Sequence, residues 1–273
     1  MRSTRRVLTI LASLVLLAPA VTAAQDAPAR ATQDTSGPVR RMPDGKPDLQ
    51  GYYSPDSRGA NYGLGPHAPV FGLPGGPGFI IDPPDQQLPL QPWAATEQKS
   101  RALAERGYDD PTAHCFVAGI PRSMYTSSFH ILQPPGHVIF LFERISHRSV
   151  PLDGRVHLPD RLRLWQGDSV GRWEGDTLII ETQNLNGKAW LNEIGEVISY
   201  AAKVTERFTP VDAGTIDYQA TVSDLQVYTR PWTIGYKLRR SEEELLEVAC
   251  HEDNQDLEHL KNVRDAARAG TNK

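Results

Sequence analysis

Hydrophobic and polar residues alternate along the second half of the chain with the period of two that is typical of half-buried β-strands. The alternating runs cover residues 129–132, 137–143, 161–165, 176–182, 202–208, 215–222 and 232–238. Turn-forming residues separate them, including Pro134, Pro135 and Gly136 between the first two runs. The pattern predicts six or seven antiparallel strands and favours a barrel or sandwich over βαβ units.

The rest of the chain predicts two helices and an extended wrap. Residues 94–106 place Ala and Leu at helical spacing and end at Gly107, and a second helix is expected at about 254–267. Residues 42–92 are dense in Pro and Gly and show little periodicity, which predicts segments that cover a surface without forming a core. We therefore expect one all-β domain over residues 42–273. Its fold would be an antiparallel barrel or strongly curved sheet, with an extended N-terminal wrap and a C-terminal helix.

The N-terminus has the pattern of an export signal. Arg2, Arg5 and Arg6 precede the apolar run 7–17, and small residues follow at 21–24. This arrangement predicts a secretory signal peptide over residues 1–24, with the Arg pair leaving twin-arginine export open as a second route. Residues 25–41 then read as a disordered linker. The expected location is the periplasm or the exterior.

The charge of the exported chain bears on its partners. Three of the 29 Lys and Arg residues and none of the 33 acidic residues lie in the predicted leader, so the remainder has a formal charge of −7. This balance argues against nucleic acid or an anionic membrane surface as a partner, and no segment predicts stable membrane insertion. A small-molecule ligand or substrate is the expected partner. The oligomeric state stays open.

Two cysteines, Cys115 and Cys250, lie 135 positions apart among polar neighbours. In an oxidising compartment two such cysteines more often pair than stay free, so a disulfide is expected, with two separate buried thiols as the alternative. A catalytic thiol is disfavoured because an exposed thiolate would oxidise there. A bridge would bring His251 and Glu252 close to the first cysteine's neighbours, which makes them second-choice catalytic groups.

The segment 165–176 is the richest in chemistry-bearing side chains. Trp165, Asp168, Trp173 and Glu174 fall within it across an expected β-hairpin. Carboxylates beside tryptophans suit a sugar or another polar ring, because the rings stack while the acids move protons. The alternative is a solvated hairpin whose tryptophans belong to the core.

Residues 167–171 (GDSVG) also match the G-x-S-x-G pattern of a nucleophile elbow. That pattern requires a sharp turn from a strand into a helix, whereas a strand is expected after this segment. A turn between two strands is the better interpretation of these glycines.

Histidines and arginines supply a second set of candidates. His130 and Glu143 lie on adjacent predicted strands, and His157 follows in an Arg-rich stretch. A neutral imidazole can act as an acid or base near pH 7. The chain has no H-E-x-x-H, H-x-H or C-x-x-C spacing and no phosphate-binding glycine loop, so neither a metal nor another cofactor is predicted.

An ordered series of motifs resembles a large family of uncharacterised exported bacterial proteins. The motifs lie at 42–51 (MPDGKPDLQG), 88–93, 115–122, 152–157, 167–178 (GDSVGRWEGDTL), 228–232 and 249–252 (ACHE). They span nearly the whole mature chain, and the resemblance implies no activity and no catalytic residues. Phe116, Val117 and Ala118 depart from the family's Cys-Leu-Pro-x-Gly-x-Pro-Arg segment, and residues 253–255 depart from its Gly-Asn-Tyr. These departures predict a different substrate if the segments line a pocket.

Together these features predict a cofactor-independent enzyme that uses acid/base chemistry on a small polar or aromatic molecule, as a hydrolase, lyase or isomerase. The alternative is a non-catalytic carrier with a β-barrel pocket, and a structural envelope protein comes third. The expected roles are a base at His157 or His130, a partner or acid at Glu143, Asp168 or Glu174, an anion clamp at Arg122 or Arg155, and a stacking wall of Trp165 and Trp173.

Overall fold

A computed structural model describes residues 37–57, 59–69, 75–144 and 146–271. The predicted signal peptide and most of the predicted linker lie outside these residues. Ten strands of the described chain form one antiparallel sheet that curls into a nearly closed barrel, which confirms the predicted fold class. The strands are Gly51–Pro55 (β1), Ile80–Asp82 (β2), Phe129–Leu132 (β3), His137–Phe142 (β4), His147–Pro151 (β5), Asp168–Glu174 (β6), Thr177–Gln183 (β7), Lys203–Pro210 (β8), Thr215–Ser223 (β9) and Trp232–Ser241 (β10).

The strands are hydrogen-bonded in the order β5-β4-β3-β1-β10-β9-β8-β7-β6, with β2 added beside one end of β10. Six of the seven predicted runs correspond to strands, namely β3, β4 and β7 to β10, and their alternation has the expected cause. On β9, Tyr218, Ala220 and Val222 are buried while the residues between them face outward. A period-two pattern therefore located these strands because one face of each is buried.

Aromatic side chains fill the interior of the barrel. Phe140, Phe208, Tyr218 and Tyr236 form a continuous series whose successive ring centroids are 5.4, 5.0 and 4.9 Å apart. Phe129 extends it, with its ring centroid 5.9 Å from that of Phe140. Small barrels are commonly packed solid in this way. The cavities described below lie outside this aromatic series.

The predicted surface wrap 42–92 contains a central strand. β1 lies between β3 and β10, and Leu49 and Tyr53 are fully or almost fully buried. The expectation that this stretch forms no core was therefore wrong. β1 is only five residues long and lies between Pro and Gly residues, so it offers too few alternating positions to be recognised.

The segment 161–165 is not a strand, although it alternates. Leu162 and Leu164 are both more than 40% exposed, and only an isolated bridge joins Leu164 to Leu185. β6, in contrast, is a strand that the sequence did not predict, because its glycines were interpreted as a turn. A side chain at Gly171 would come within 2.7 Å of Leu152 and 2.9 Å of Val150, so this glycine permits close strand approach. The actual turn lies at Gly175, between β6 and β7.

A buried arginine closes the barrel at its seam. β5 and β6 are the two ends of the sheet, and no backbone ladder joins them within the described chain. Arg148 of β5 reaches across this seam, where its guanidinium donates to Ser169 Oγ of β6 at 2.9 Å and to Thr182 Oγ1 of β7 at 2.7 Å. It also forms a two-pronged ion pair with Glu206 of β8, and Arg148 Nη1 lies 3.0 Å from Glu206 Oε1. One side chain thus ties β5 to three successive strands.

Two helices flank the barrel. α1 spans Pro92–Arg101, shorter than predicted because Ala104–Asp109 forms a separate 3-10 turn, and α2 spans Asp256–Thr271. α2 packs on that turn, where the Arg264 guanidinium lies 3.9 Å from the Tyr108 ring centroid. Within the described residues, no helix has the length and apolar character needed to cross a membrane.

The cysteines form a disulfide, Cys115–Cys250, which confirms the predicted pairing. Cys115 directly follows the 3-10 turn Pro111–His114, and Cys250 lies just ahead of α2. The bridge therefore fastens the start of the C-terminal helix to the turns beside the barrel.

Candidate functional site

A cleft of about 650 Å³ lies between α2 and residues 102–113. One wall is apolar and is formed by Leu103, Ile194, Leu260 and Val263. Its polar side chains are Tyr62, Asp110, Thr112, Arg144, Glu193, Asp256 and His259. Apolar side chains together with a few polar groups are the usual lining of a small-molecule site.

A smaller chamber of about 70 Å³ adjoins the cleft. Thr112, Arg144 and Glu193 line both spaces, so these three residues lie where the two meet. The chamber wall also includes the disulfide and Arg122. The predicted cysteine pairing and the predicted Arg122 clamp therefore meet in one place.

Arg122 is fixed by a buried ion pair with Asp110. Both side chains are about 95% buried or more, and Arg122 Nη1 lies 3.0 Å from Asp110 Oδ1 and 2.9 Å from Oδ2. Asp110 Oδ1 also accepts from the backbone N–H of Thr112 at 3.0 Å, which caps the turn Pro111–His114. The guanidinium is therefore held in one orientation at the chamber wall.

A tight loop presents Glu193 to the cleft. The backbone N–H of Leu191 donates to Glu196 O at 2.7 Å, and the N–H of Glu193 donates to Asn61 O at 2.8 Å. Two buried tyrosines hold the loop ends, because the Tyr125 hydroxyl donates to Leu191 O and the Tyr228 hydroxyl donates to Val197 O, both at 2.6 Å. A side chain on so constrained a loop keeps its position, which catalysis requires.

The environment raises the pKa of Glu193. Partial desolvation by the surrounding protein is the largest cause, and the negative charges of Asp110 and Asp256 act in the same direction. The guanidinium groups of Arg122 and Arg144 oppose this effect but do not cancel it. The side chain is still exposed to the solvent of the cleft, so a bound molecule could exchange a proton with it.

The loop is anchored by a second carboxyl group, Glu196, which is buried. Its Oε2 accepts from Asn192 Nδ2 at 2.6 Å and its Oε1 accepts from Gln98 Nε2 at 3.2 Å. Burial raises the pKa of Glu196 to about 7, because desolvation outweighs these hydrogen bonds and one from the N–H of Leu64.

We expect Glu196→Gln to stabilise the protein at pH 8 and to leave its stability nearly unchanged at pH 4. The pKa of Glu196 is higher in the folded protein than in the unfolded chain, so the protonated side chain contributes to the free energy of unfolding. This contribution is fully present below the pKa of the unfolded chain. It is lost as the pH rises towards about 7, and the loss amounts to about 3 kcal/mol. Urea unfolding from pH 4 to 8 measures it. Glu97→Gln, at a partly exposed ion pair with Arg101, is the control and should not gain stability over wild type as the pH rises. Equal pH profiles for wild type and Glu196→Gln would contradict the raised pKa of Glu196.

The structure brings three predicted residues together at Asp168. Its carboxylate accepts from Arg155 Nη2 at 2.6 Å, from His157 Nδ1 at 3.0 Å and from the backbone N–H of Leu158 at 2.9 Å. Burial acts to raise the pKa of Asp168, but these hydrogen bonds outweigh it and the pKa is lowered. Both carboxylate oxygens are engaged in holding residues 155–158 against β6, and this accounts for the cluster as a loop anchor. Asp168 also borders an open depression of about 440 Å³, with Gln166 as a neighbour.

His130 and Glu143 lie apart from this cluster. His130 is on the outer face of β3, where its ring stacks on Tyr52 with centroids 4.1 Å apart. Burial lowers the pKa of His130. Glu143 directly follows β4, and its backbone N–H donates to Ser128 O. The cross-strand neighbour of His130 on β4 is Leu141, so the predicted base and partner do not face each other as a pair.

The remaining predicted residues are also dispersed. Glu174 lies in an exposed ion-pair group with Arg172. Trp173, near the end of β6, packs against the barrel core, whereas Trp165 precedes β6 and stacks on Phe116 with centroids 5.0 Å apart. The two tryptophans thus pack on different partners and do not form one stacking wall.

His251 and Glu252 are exposed beside the disulfide and are not among the residues that line the chamber or the cleft. The groups that do line the cleft, Glu193, Arg144 and His259, were not selected from the sequence. Their segments carry no motif. The one available signal was the expected disulfide, which lines the chamber next to the cleft.

No protein-family model matches the chain, and no curated protein matches it at a significant level. The likeness to exported bacterial proteins therefore stays a prediction. Within the described residues, no group of three or more His, Cys, Asp or Glu side chains is placed to hold a metal ion.

Proposed function

We propose that the protein is an exported, cofactor-independent enzyme that performs acid/base chemistry on a small molecule in the cleft beneath α2. The observation that carries the proposal is the accessible Glu193 carboxyl group with a raised pKa at the junction of cleft and chamber. The disulfide supports a periplasmic or secreted location, since such bonds persist in oxidising compartments.

The surroundings of Glu193 fit this chemistry. A carboxyl group whose pKa lies nearer to neutrality can both donate and accept a proton during turnover. Arg144 shares its wall and can stabilise negative charge that develops on the substrate. Arg122 is held by Asp110, so it can orient a polar group without moving. The chemistry is thus proposed at Glu193, while the cluster of His157 and Asp168 anchors a loop.

A carrier is the second candidate, and the apolar wall of the cleft favours it. Leu103, Ile194, Leu260 and Val263 would shelter an apolar ligand without any proton transfer. A carrier binds a molecule and returns it unchanged, whereas an enzyme changes its mass or isomeric form.

The test is a metabolite screen in which thermal shift and product formation are read together. We expect the wild-type protein to convert at least one bound metabolite, and Glu193→Gln to lower kcat by about 10²–10⁴-fold while still binding. Glu258→Gln, an exposed change on α2, and His157→Gln should both keep kcat. Equal kcat for wild type and Glu193→Gln would contradict the assignment, and binding without conversion in every case would support the carrier.

A further inference from the structure

The chamber beside Glu193 combines groups that donate hydrogen bonds with apolar side chains such as Phe116 and Phe142. Arg122 and Arg144 both line it, together with Ser123 and Ser127, which carry hydroxyl groups, whereas the Thr126 hydroxyl already donates to Arg122 O at 3.0 Å. The Oδ1 atom of Asn61 is buried there without a hydrogen-bond partner. Since amide O and N atoms are interchangeable by rotation, this side chain can turn its NH2 group towards an anion.

The charge and the volume of the chamber indicate which kind of anion it can bind. Arg122 is already neutralised by Asp110, whereas Arg144 is exposed and forms no ion pair with another described residue. The chamber thus offers one cation outside an ion pair, and the Glu193 carboxyl group in the same wall adds negative charge when it is ionised, which matches a monoanion better than a phosphate dianion. A volume of about 70 Å³ holds a carboxylate group but not the body of a metabolite.

The wide cleft supplies room for that body. It shares Arg144 and Glu193 with the chamber wall and continues along the apolar side chains of Leu103, Leu260 and Val263. A molecule with its anionic end in the chamber would therefore lay its apolar part against α2 and pass Glu193 on the way. Because the pKa of Glu193 is raised, its carboxyl group stays neutral, and does not repel a neighbouring anion, up to a higher pH than that of an ordinary glutamate.

We propose that the chamber is a carboxylate subsite and that the ligand is a small carboxylic acid with an apolar or aromatic body. This inference rests on the proposed function for its location, but it concerns binding and not turnover. Arg144 is its principal contact, and Arg122 with the chamber hydroxyls completes the site.

The test uses 3-phenylpropanoate as the probe, with neutral 3-phenylpropanamide and phenyl phosphate as comparisons, in calorimetric titrations of the full mature protein. We expect the acid to bind at least about tenfold more tightly than the amide, and Arg144→Gln to remove that difference without changing the affinity for the amide. Arg161→Gln, an exposed change outside the cleft, is the matched control and should bind like wild type.

Three results would overturn the inference. They are equal affinity for acid and amide, unchanged affinity of Arg144→Gln for the acid, and tighter binding of phenyl phosphate than of the acid. Absence of binding by any probe up to about 10 mM would count equally against it. Glu193→Gln separates this inference from the proposed enzyme. If this variant binds the acid and the wild type turns over no metabolite, the carboxylate subsite is supported and the enzyme is contradicted. If the wild type turns over neutral molecules only, the enzyme is supported and the carboxylate subsite is contradicted.

Discussion

Glu206→Gln is expected to lower the free energy of unfolding by about 3–5 kcal/mol. The variant leaves the guanidinium of Arg148 charged, buried and without its counter-ion, and removing one partner of a buried ion pair has a cost of this size. The Tyr218 hydroxyl, which lies 3.0 Å from Glu206 Oε1, loses its charged acceptor as well. Urea denaturation measures the change.

The position of the Arg148–Glu206 ion pair predicts which strands lose protection in Glu206→Gln. Because Arg148 bridges the seam between β5 and β6, hydrogen exchange in Glu206→Gln should rise first at the amides of these two strands. The double variant Arg148→Met with Glu206→Leu is the control. It removes both charges and should be less destabilised than Glu206→Gln alone, since no unpaired charge remains. A loss below about 1 kcal/mol in Glu206→Gln would mean that the seam does not depend on the ion pair.

Removal of the disulfide by Cys115→Ala with Cys250→Ala is expected to have the second large effect, a loss of about 2–5 kcal/mol. The bridge closes a loop of 135 residues, so the denatured chain gains much freedom without it. In the folded state, α2 would keep its packing on the turn Ala104–Asp109, where Leu260 approaches Gly107, but it would lose its covalent tether.

The cleft should respond more strongly than the barrel. Hydrogen exchange in the double variant should accelerate along α2 before it does in β8 or β9, because α2 forms one wall of the cleft and lies outside the sheet. Reduced wild-type protein provides the matched comparison and should behave like the variant. Equal melting temperatures together with unchanged protection of α2 would contradict the structural role of the bridge.

Most of the barrel was predictable because its strands bury one face. β8, β9 and β10 alternate over eight to ten residues, and this is the signal that a sequence can show. β1 was missed because its five residues lie between turn formers. The run 161–165 was misassigned because an exposed segment can alternate by chance when no neighbouring strand pairs with it.

The candidate site was only partly predictable. The pairing of Cys115 with Cys250 was predicted correctly, and Arg122, predicted as an anion clamp, lines the same chamber. Arg155, His157 and Asp168 do come together, although as a loop anchor. Glu193 could not be found, because its importance depends on contacts with Asn61, Arg122 and Asp256 that are 63 to 132 positions away in the chain. Desolvation and neighbouring charges arise from tertiary structure, so no local motif reports them.

The central claim is that the cleft beneath α2 holds a carboxyl group tuned for proton transfer. It is tested most directly by following the side-chain carboxyl carbon of Glu193 by NMR as a function of pH, with Glu193→Gln to assign the signal. We expect a pKa above the ordinary glutamate value of about 4.3. A pKa at or below that value would contradict it, because Glu193 would then be an ordinary surface carboxylate in a cleft without a proton-transfer group.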